Sequence, residues 1–265
     1  MSVDRWLVNT LPLWLLGLTL VGGLGAVAVA GAALVRRRVG AVAEGDYAEM
    51  AKTMLTHLLA VYSLVLAFVV VNENQAYTQA RIDVQTEALN VEDFYRSTRE
   101  FADPAAQELI ATTRDYVRTV VNEEWERLAD GTASPRASAD LNRLYEIIGN
   151  YDPEGARLGS LYSASLDYLH AVHDARHRRL NRATNGLPPV LAVFLVAGAL
   201  AILGVSCLLG GRGRSQLLVP FSLGCLLGFT LMLALALEYP FSGTNAIPST
   251  HFREGQLADF FQPTP

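Results

Sequence analysis

The sequence predicts an all-α membrane protein, with four transmembrane helices and a helical-bundle domain inserted between helices 2 and 3. Three observations lead there. The 265 residues are 51% hydrophobic and only 18% charged, with a mean hydropathy of +0.24, whereas soluble domains carry about 25% charged residues. The apolar residues concentrate in four runs, each near the ~20 residues that cross a ~30 Å hydrocarbon core. The polar residues gather between the second and third runs, in a stretch at 72–187 that holds 13 of the 21 basic and 19 of the 26 acidic residues, a net charge of −6 against −5 for the whole chain. The chain therefore divides into 1–71 with transmembrane helices 1 and 2, an acidic extramembrane helical domain at 72–187, 188–237 with transmembrane helices 3 and 4, and a C-terminal tail at 238–265.

The first run, 11–35, contains no charge. Ala26-Val27-Ala28 and Ala28-Val29-Ala30 resemble signal-peptide cleavage sites, but the run is too long. It also starts after Asp4 and Arg5 and ends at Arg36-Arg37-Arg38, as a stop-transfer segment does, so it is read as a retained helix. In the second run, 53–71, the only residue able to carry a charge near neutral pH is His57. No Pro or Gly interrupts the chain from Thr53 to Phe101, so one helix of about 50 residues and ~70 Å is expected to couple membrane and domain rigidly.

Pro104, the turn from Asp130-Gly131 to Pro135, and Asn150-Tyr151-Asp152-Pro153-Glu154-Gly155 then punctuate the polar stretch. They leave helices over 73–102, 104–129, 136–149 and 155–185, rich in good helix formers. Asn185-Gly186 ends the last of these, and Pro188-Pro189 restarts the chain. The runs at 188–209 and 217–237 contain Cys207 and Cys225, which read as small hydrophobic residues rather than a disulfide. The small residues Gly22, Ala26 and Ala30, then Ala197 and Ala201, then Gly224 and Gly228 mark close helix packing within or between subunits.

The composition excludes several function classes. An acidic chain without a basic patch is no nucleic-acid binder. No nucleotide loop, zinc-protease motif or nucleophile elbow occurs, and Ser249 with His251 lacks a third partner, so no catalytic residue, cofactor or enzyme activity is expected. His170, His173 and His177 lie at i, i+3 and i+7 beside Asp167 and Asp174, on one helical face. With no ligand from a second helix they do not make a metal site, and pH sensing near neutrality is the preferred role. In Glu123-Glu124-Trp125-Glu126, neighbours point about 100° apart, so the carboxylates do not converge by themselves and the segment reads as a charged face with one buried Trp.

Polar residues inside a span are costly and usually face a bundle interior or a water path. His57, Val61, Leu64, Phe68 and Asn72 share one face of the second run, with Glu73 beside its end. Two readings of that face stand: ordinary packing, or the lining of a pore in an oligomer with Phe68 as a hydrophobic constriction. Glu87 would then sit at the pore mouth, and an acidic flank of Glu73, Asp83, Glu87 and Glu92 favours cations. Counting Arg and Lys near the span ends gives six on the side of the short loops, including Lys52, Arg212 and Arg214, and seven on the other, Arg5, Arg81, Arg176, Arg178, Arg179, Arg182 and Arg253, which leaves orientation open.

Gln85-Thr86-Glu87-Ala88-Leu89-Asn90, Tyr116-Val117, Glu123-Glu124-Trp125, the segment from Arg176 to Leu180, Gly186-Leu187-Pro188 and Glu238-Tyr239-Pro240-Phe241-Ser242-Gly243 together resemble the bestrophin-like membrane family over roughly 50–255. Bestrophins are oligomeric anion channels with four spans, an aromatic pore neck on the second span and a cytosolic helical domain. The resemblance implies assembly around the second helix with the helical domain in the cytosol. This sequence departs from that layout in having Phe68 alone as an aromatic on the neck face and in its acidic flank, so ion selectivity does not carry over. The expected function is a homo-oligomeric ion channel, multi-pass in the cell membrane, with lipid, inorganic ions (cations favoured) and its own copies as partners. The alternative is a membrane-anchored signalling or scaffold protein whose helical domain binds a protein.

Overall fold

The computed structural model describes residues 3–39, 46–101, 104–153, 155–208 and 217–262. Glu154, Arg212 and Arg214, used in the reading above, lie outside them. Among the described residues every regular element is helical: α1 (Val3–Thr10), α2 (Leu13–Gly17), a π-helical turn (Leu18–Gly22), α3 (Gly23–Val39), α4 (Asp46–Thr98), α5 (Ala105–Thr119), a second π-helical turn (Val120–Glu124), α6 (Trp125–Ala129), α7 (Pro135–Gly149), α8 (Ala156–Thr184), α9 (Pro189–Leu208), α10 (Leu218–Glu238) and two 3₁₀ segments, Thr250–Arg253 and Gly255–Phe261. Among the described residues, four helices are long and apolar enough to cross a membrane. The chain forms two compact units, one of Ser2–Gln75 with Gly186–Glu238, the other of Ala76–Asn185 with Tyr239–Pro265.

In the membrane unit, the backbones of the first and fourth spans touch. A Cβ at Gly224 would lie 2.6 Å from the Leu24 carbonyl oxygen and one at Gly228 2.5 Å from that of Leu20, so only glycine permits this approach. The other small residues do not pack in this way inside the subunit. Gly22 has nothing within 4 Å of a Cβ position, and Ala26, Ala30, Ala197 and Ala201 are exposed. The core of the unit is built from α4, α9 and α10: Tyr62 lies over Gly198, donates its hydroxyl to the Leu195 carbonyl at 3.1 Å, and packs with Leu55, Leu66, Val69, Ile202 and Leu227.

The helical unit has one apolar core, with Val84, Val91 and Phe94 from α4, Leu109, Tyr116 and Val117 from α5, Leu141, Leu144 and Ile148 from α7, and Leu169 and Val172 from α8. Its turns follow the sequence punctuation. Gly131 takes φ 72° after α6, and Gly155 takes φ 90° before α8, a left-handed backbone that glycine adopts without strain. Ser134 caps α7, accepting the Ala137 N–H at 3.2 Å, with Pro135 in the first turn.

The residues after the fourth span, set apart as a tail in the sequence reading, are built into this helical core. Phe241, Ile247, Phe252, Leu257 and Phe260 are all buried in it, each large apolar side chain contributing about 1.5–3 kcal/mol by leaving water. Their irregular spacing carries no helical period to announce it. Donors on the helices hold the backbone of the segment: Tyr77 Oη to the Asn245 carbonyl at 2.9 Å, Trp125 Nε1 to that of Ile247 at 2.9 Å and Arg118 Nε to that of Phe260 at 2.8 Å.

Candidate functional site: an uncovered face of the second span and a buried ion network

His57, Val61, Leu64, Phe68 and Asn72 are all exposed along one face of α4, Phe68 by 68%. Leu55, Tyr62, Leu66 and Val69 on the opposite face fill the core of the membrane unit. The helix thus spends one side on its own subunit and leaves the other uncovered. Polar groups on the open side bond back to the helix, His57 Nδ1 lying 2.7 Å from the Thr53 carbonyl and Ser63 Oγ donating to that of Ala60 at 3.0 Å. Glu73 is not on this face. One residue past Asn72 and four past Val69, it turns to the covered side and is only 6% exposed.

Glu87 is likewise not displayed at a mouth. It is 0% exposed, inside the helical unit, where it joins a network that reaches α5, α7, α8 and the second π-helical turn. Arg179 on α8 donates from Nε to Glu87 Oε2 at 2.6 Å, and from Nη2 to Glu87 Oε1 at 2.9 Å and to Glu124 Oε1 at 2.8 Å. One turn earlier, Arg176 grips both Glu124 oxygens, and its Nη2 also donates to Ser138 Oγ at 3.0 Å. Tyr116 on α5 donates its hydroxyl to Glu87 at 2.7 Å. The Ser134 N–H donates to Glu124 at 3.0 Å, and Ser134 Oγ to Glu123 at 2.7 Å, so the Glu123-Glu124 pair also anchors the start of α7. The Trp125 ring lies 5.1 Å from the Arg179 guanidinium, a cation–π contact.

Two carboxylates and two guanidiniums balance, so four buried charges carry no net charge. Burial alone would raise the Glu124 carboxyl, but Arg179 and Arg176 outweigh it and hold it below its ordinary value. Burial pushes the Tyr116 hydroxyl well above its ordinary value, with Glu87 adding to the effect. For the two guanidiniums burial works against the charge, and the carboxylates more than compensate, so both are raised.

Glu123-Glu124-Trp125 is therefore more than a charged face with one buried Trp. The carboxylates do diverge by about 100°, and that divergence sends Glu124 inward to meet a carboxylate from another helix. The acidic flank expected to attract cations is withdrawn too: Asp83 pairs with Arg178 at 3.0 Å, Glu92 lies 3.6 Å from Arg96, and Glu73 and Glu87 are buried. His170, His173 and His177 are exposed on α8, the first two with ring centroids 5.6 and 6.3 Å from that of Tyr145. Among the described residues no three or more His, Cys, Asp or Glu are grouped to hold a metal ion.

A profile of the bestrophin-like domain matches residues 22–252. The chain belongs to the bestrophin-like family. Two solved structures share its fold. One is a bacterial bestrophin homologue from Klebsiella pneumoniae with an isoleucine-to-threonine mutation, at 14% identity and a TM-score of 0.63 over 87% of this chain and 95% of that one. The other is a membrane protein with a proline-to-alanine substitution, at 14% identity and a TM-score of 0.64 over 94% and 98%. No curated protein matches the chain.

Within each unit, the segments that carry the bestrophin-like resemblance meet one another. Glu87, Tyr116, Glu124, Trp125, Arg176 and Arg179 are the members of the buried network, and Phe241 packs edge-on against Trp125 at 6.0 Å. In the membrane unit, Glu238 accepts the Leu187 N–H at 3.0 Å. Sequence reasoning missed the network, although a signal was there: Arg176 and Arg179 fall on the same helical face as Leu169, Val172 and Ala183, and Glu87 on the face of Ala80, Val84 and Val91. A charge placed within an apolar stripe announces a buried partner.

Proposed function

We propose that the protein is a homo-oligomeric ion channel of the cell membrane in which the second span lines the pore, with the polar stretch at 72–187 as its extramembrane part. The observation that carries this reading is the uncovered face of α4, on which His57, Val61, Leu64, Phe68 and Asn72 are all exposed although their helix is well packed on its other side. A span that keeps polar groups on a side its own subunit leaves open is suited to a water path enclosed by several copies. Membership of the bestrophin-like family supports the same reading.

Phe68 is the largest side chain of that face and serves as a hydrophobic constriction. The acidic flank plays no part in ion choice, since its carboxylates face inward or are paired. The solvent-facing His170, His173 and His177 couple the pH to opening. Recording from reconstituted protein tests the proposal: wild type conducts, and Phe68→Ala, on the uncovered face, conducts more. Silence across pH and ion conditions in a confirmed oligomer refutes it and favours the signalling or scaffold role.

A further inference from the structure

Asn185-Gly186 is the one Asn-Gly pair in the chain. It stands where α8 ends, and both residues are exposed. Asn185 is the C-cap, its N–H donating to the Asn181 carbonyl at 3.0 Å, and its backbone is extended, with φ −94° and ψ 120°. Regular hydrogen bonding stops there. Among the described residues, neither the Asn185 side-chain amide nor the Gly186 N–H finds a hydrogen-bond partner. The next N–H to be held is that of Leu187, by Glu238 at 3.0 Å.

An asparagine carries its own electrophile. Its Cγ is a carbonyl carbon on which the backbone nitrogen of the next residue can close a five-membered ring, provided that nitrogen is free and the chain can turn about ψ. A following glycine favours both, having no Cβ to obstruct the approach and the widest choice of backbone angles. The other nine Asn residues lack one condition or the other. Seven lie inside helical segments, where ψ is fixed. Asn150 and Asn245 lie outside them, but the N–H that follows is held in each case, Tyr151 by the Ile148 carbonyl at 3.0 Å and Ala246 by that of Gly243 at 3.3 Å.

We infer that Asn185 is a site of spontaneous deamidation whose only co-reactant is water. The Gly186 nitrogen gives up its proton and attacks Cγ, the N–Cγ bond forms, and the Cγ–Nδ2 bond breaks with release of ammonia. Water then opens the cyclic imide. Addition at Cγ restores the chain as aspartate, whereas addition at the backbone carbonyl carbon of residue 185 leaves the chain running through the side chain as isoaspartate. Either product puts a carboxylate at the C-terminal end of α8, where the helix dipole disfavours a negative charge. The isoaspartyl product also adds a methylene to the backbone two residues before Leu187, whose N–H Glu238 holds. Each copy thus passes once from a neutral to an anionic α8 terminus, at a rate set by age and pH rather than by a modifying enzyme. The inference is independent of whether the protein conducts.

The test uses the full chain in detergent, aged in mildly alkaline buffer made with heavy-oxygen water, its fold followed by circular dichroism throughout. Digestion with pepsin in acid, where the reaction is slow, precedes tandem mass spectrometry with electron-based fragmentation, which tells isoaspartate from aspartate. Labelled carboxylate should build up at 185, with isoaspartate the larger share, while Asn150 and Asn245 keep their amides. Gly186→Ala, which places a Cβ on the attacking residue, should lose most of that product. An amide at 185 that lasts as long as the one at 150 overturns the inference. Labelled aspartate without isoaspartate also overturns it, since water would then have attacked the amide directly, and so does a Gly186→Ala chain that reacts as fast as wild type.

Discussion

Replacing Arg179 with methionine is the sharpest test of the buried network. Arg179 is fully buried and spends its Nε and Nη2 on two carboxylates, at 2.6 and 2.9 Å to Glu87 and 2.8 Å to Glu124. After the change Glu124 keeps Arg176 and the Ser134 N–H, but Glu87 is left in the core with the Tyr116 hydroxyl alone. Removing one partner of a buried ion pair typically costs about 3–5 kcal/mol, because the other charge remains desolvated and uncompensated. At about 2–4 °C per kcal/mol for a unit of this size, melting should fall by roughly 6–20 °C. Glu87→Gln/Arg179→Met removes the orphaned charge and should recover part of the loss, a coupling of about 0.5–3 kcal/mol. Fluorescence of Trp125, 5.1 Å from the guanidinium, reports unfolding in detergent once Trp6 and Trp14 are replaced by Phe. A single variant that melts within about 1 °C of its parent, or a double variant no more stable than Arg179→Met, would refute the reasoning.

The same network sets two pH limits. Tyr116 is raised in the folded state, so its contribution is complete below the ordinary tyrosine value and is lost as the pH rises past about 10, where the unfolded chain gives up its proton. Alkaline melting curves should therefore decline from about pH 10, and less steeply in Tyr116→Phe. Glu124 is lowered, so its contribution is present above the ordinary carboxylate range and is lost as the pH falls below about 4; Glu124→Gln should be less stable at pH 7 and flatter in acid. In the membrane unit, Gly228→Ala puts a Cβ 2.5 Å from the Leu20 backbone oxygen and must separate two spans, whereas Gly22→Ala meets nothing within 4 Å. Thermal melting in detergent should drop for the former and stay level for the latter.

The elements were legible because each has a local cause. Apolar length marks the spans, and Pro104, Gly131 and Gly155 sit at helix ends, so α7, α8 and the outer ends of the 104–129 helix fall within a residue or two of where composition places them, while the π-helical turn that divides that helix into α5 and α6 has no signal in the composition. The network was not, because it depends on which helices meet. Arg176 and Arg179 counted as surface charges beside a span, yet both are buried against Glu124, and Arg5 is buried as well, so a tally of charges for orientation included three that hardly reach the surface. Glu87 and Asp83 were read as a flank facing ions for the same reason. Their helical positions were correct, but the face their neighbours cover is a tertiary fact. The open face of the second span was legible from spacing, except that Glu73, one residue beyond it, turns to the covered side.

The position of Phe252, Leu257 and Phe260 in the core of the helical unit has a consequence for synthesis. The helices at 76–185 emerge early, yet the residues that complete their core follow the fourth span. At about 5–20 residues per second, the stretch from Asn185 to Phe260 takes roughly 4–15 s to translate. During that interval Tyr95 lacks Phe260 and Trp125 lacks Phe241 and Phe252, and two more spans must enter the bilayer. The unit therefore matures only after membrane insertion is finished, and a chain released before Phe252 leaves an unfinished apolar surface open to chaperones and proteases.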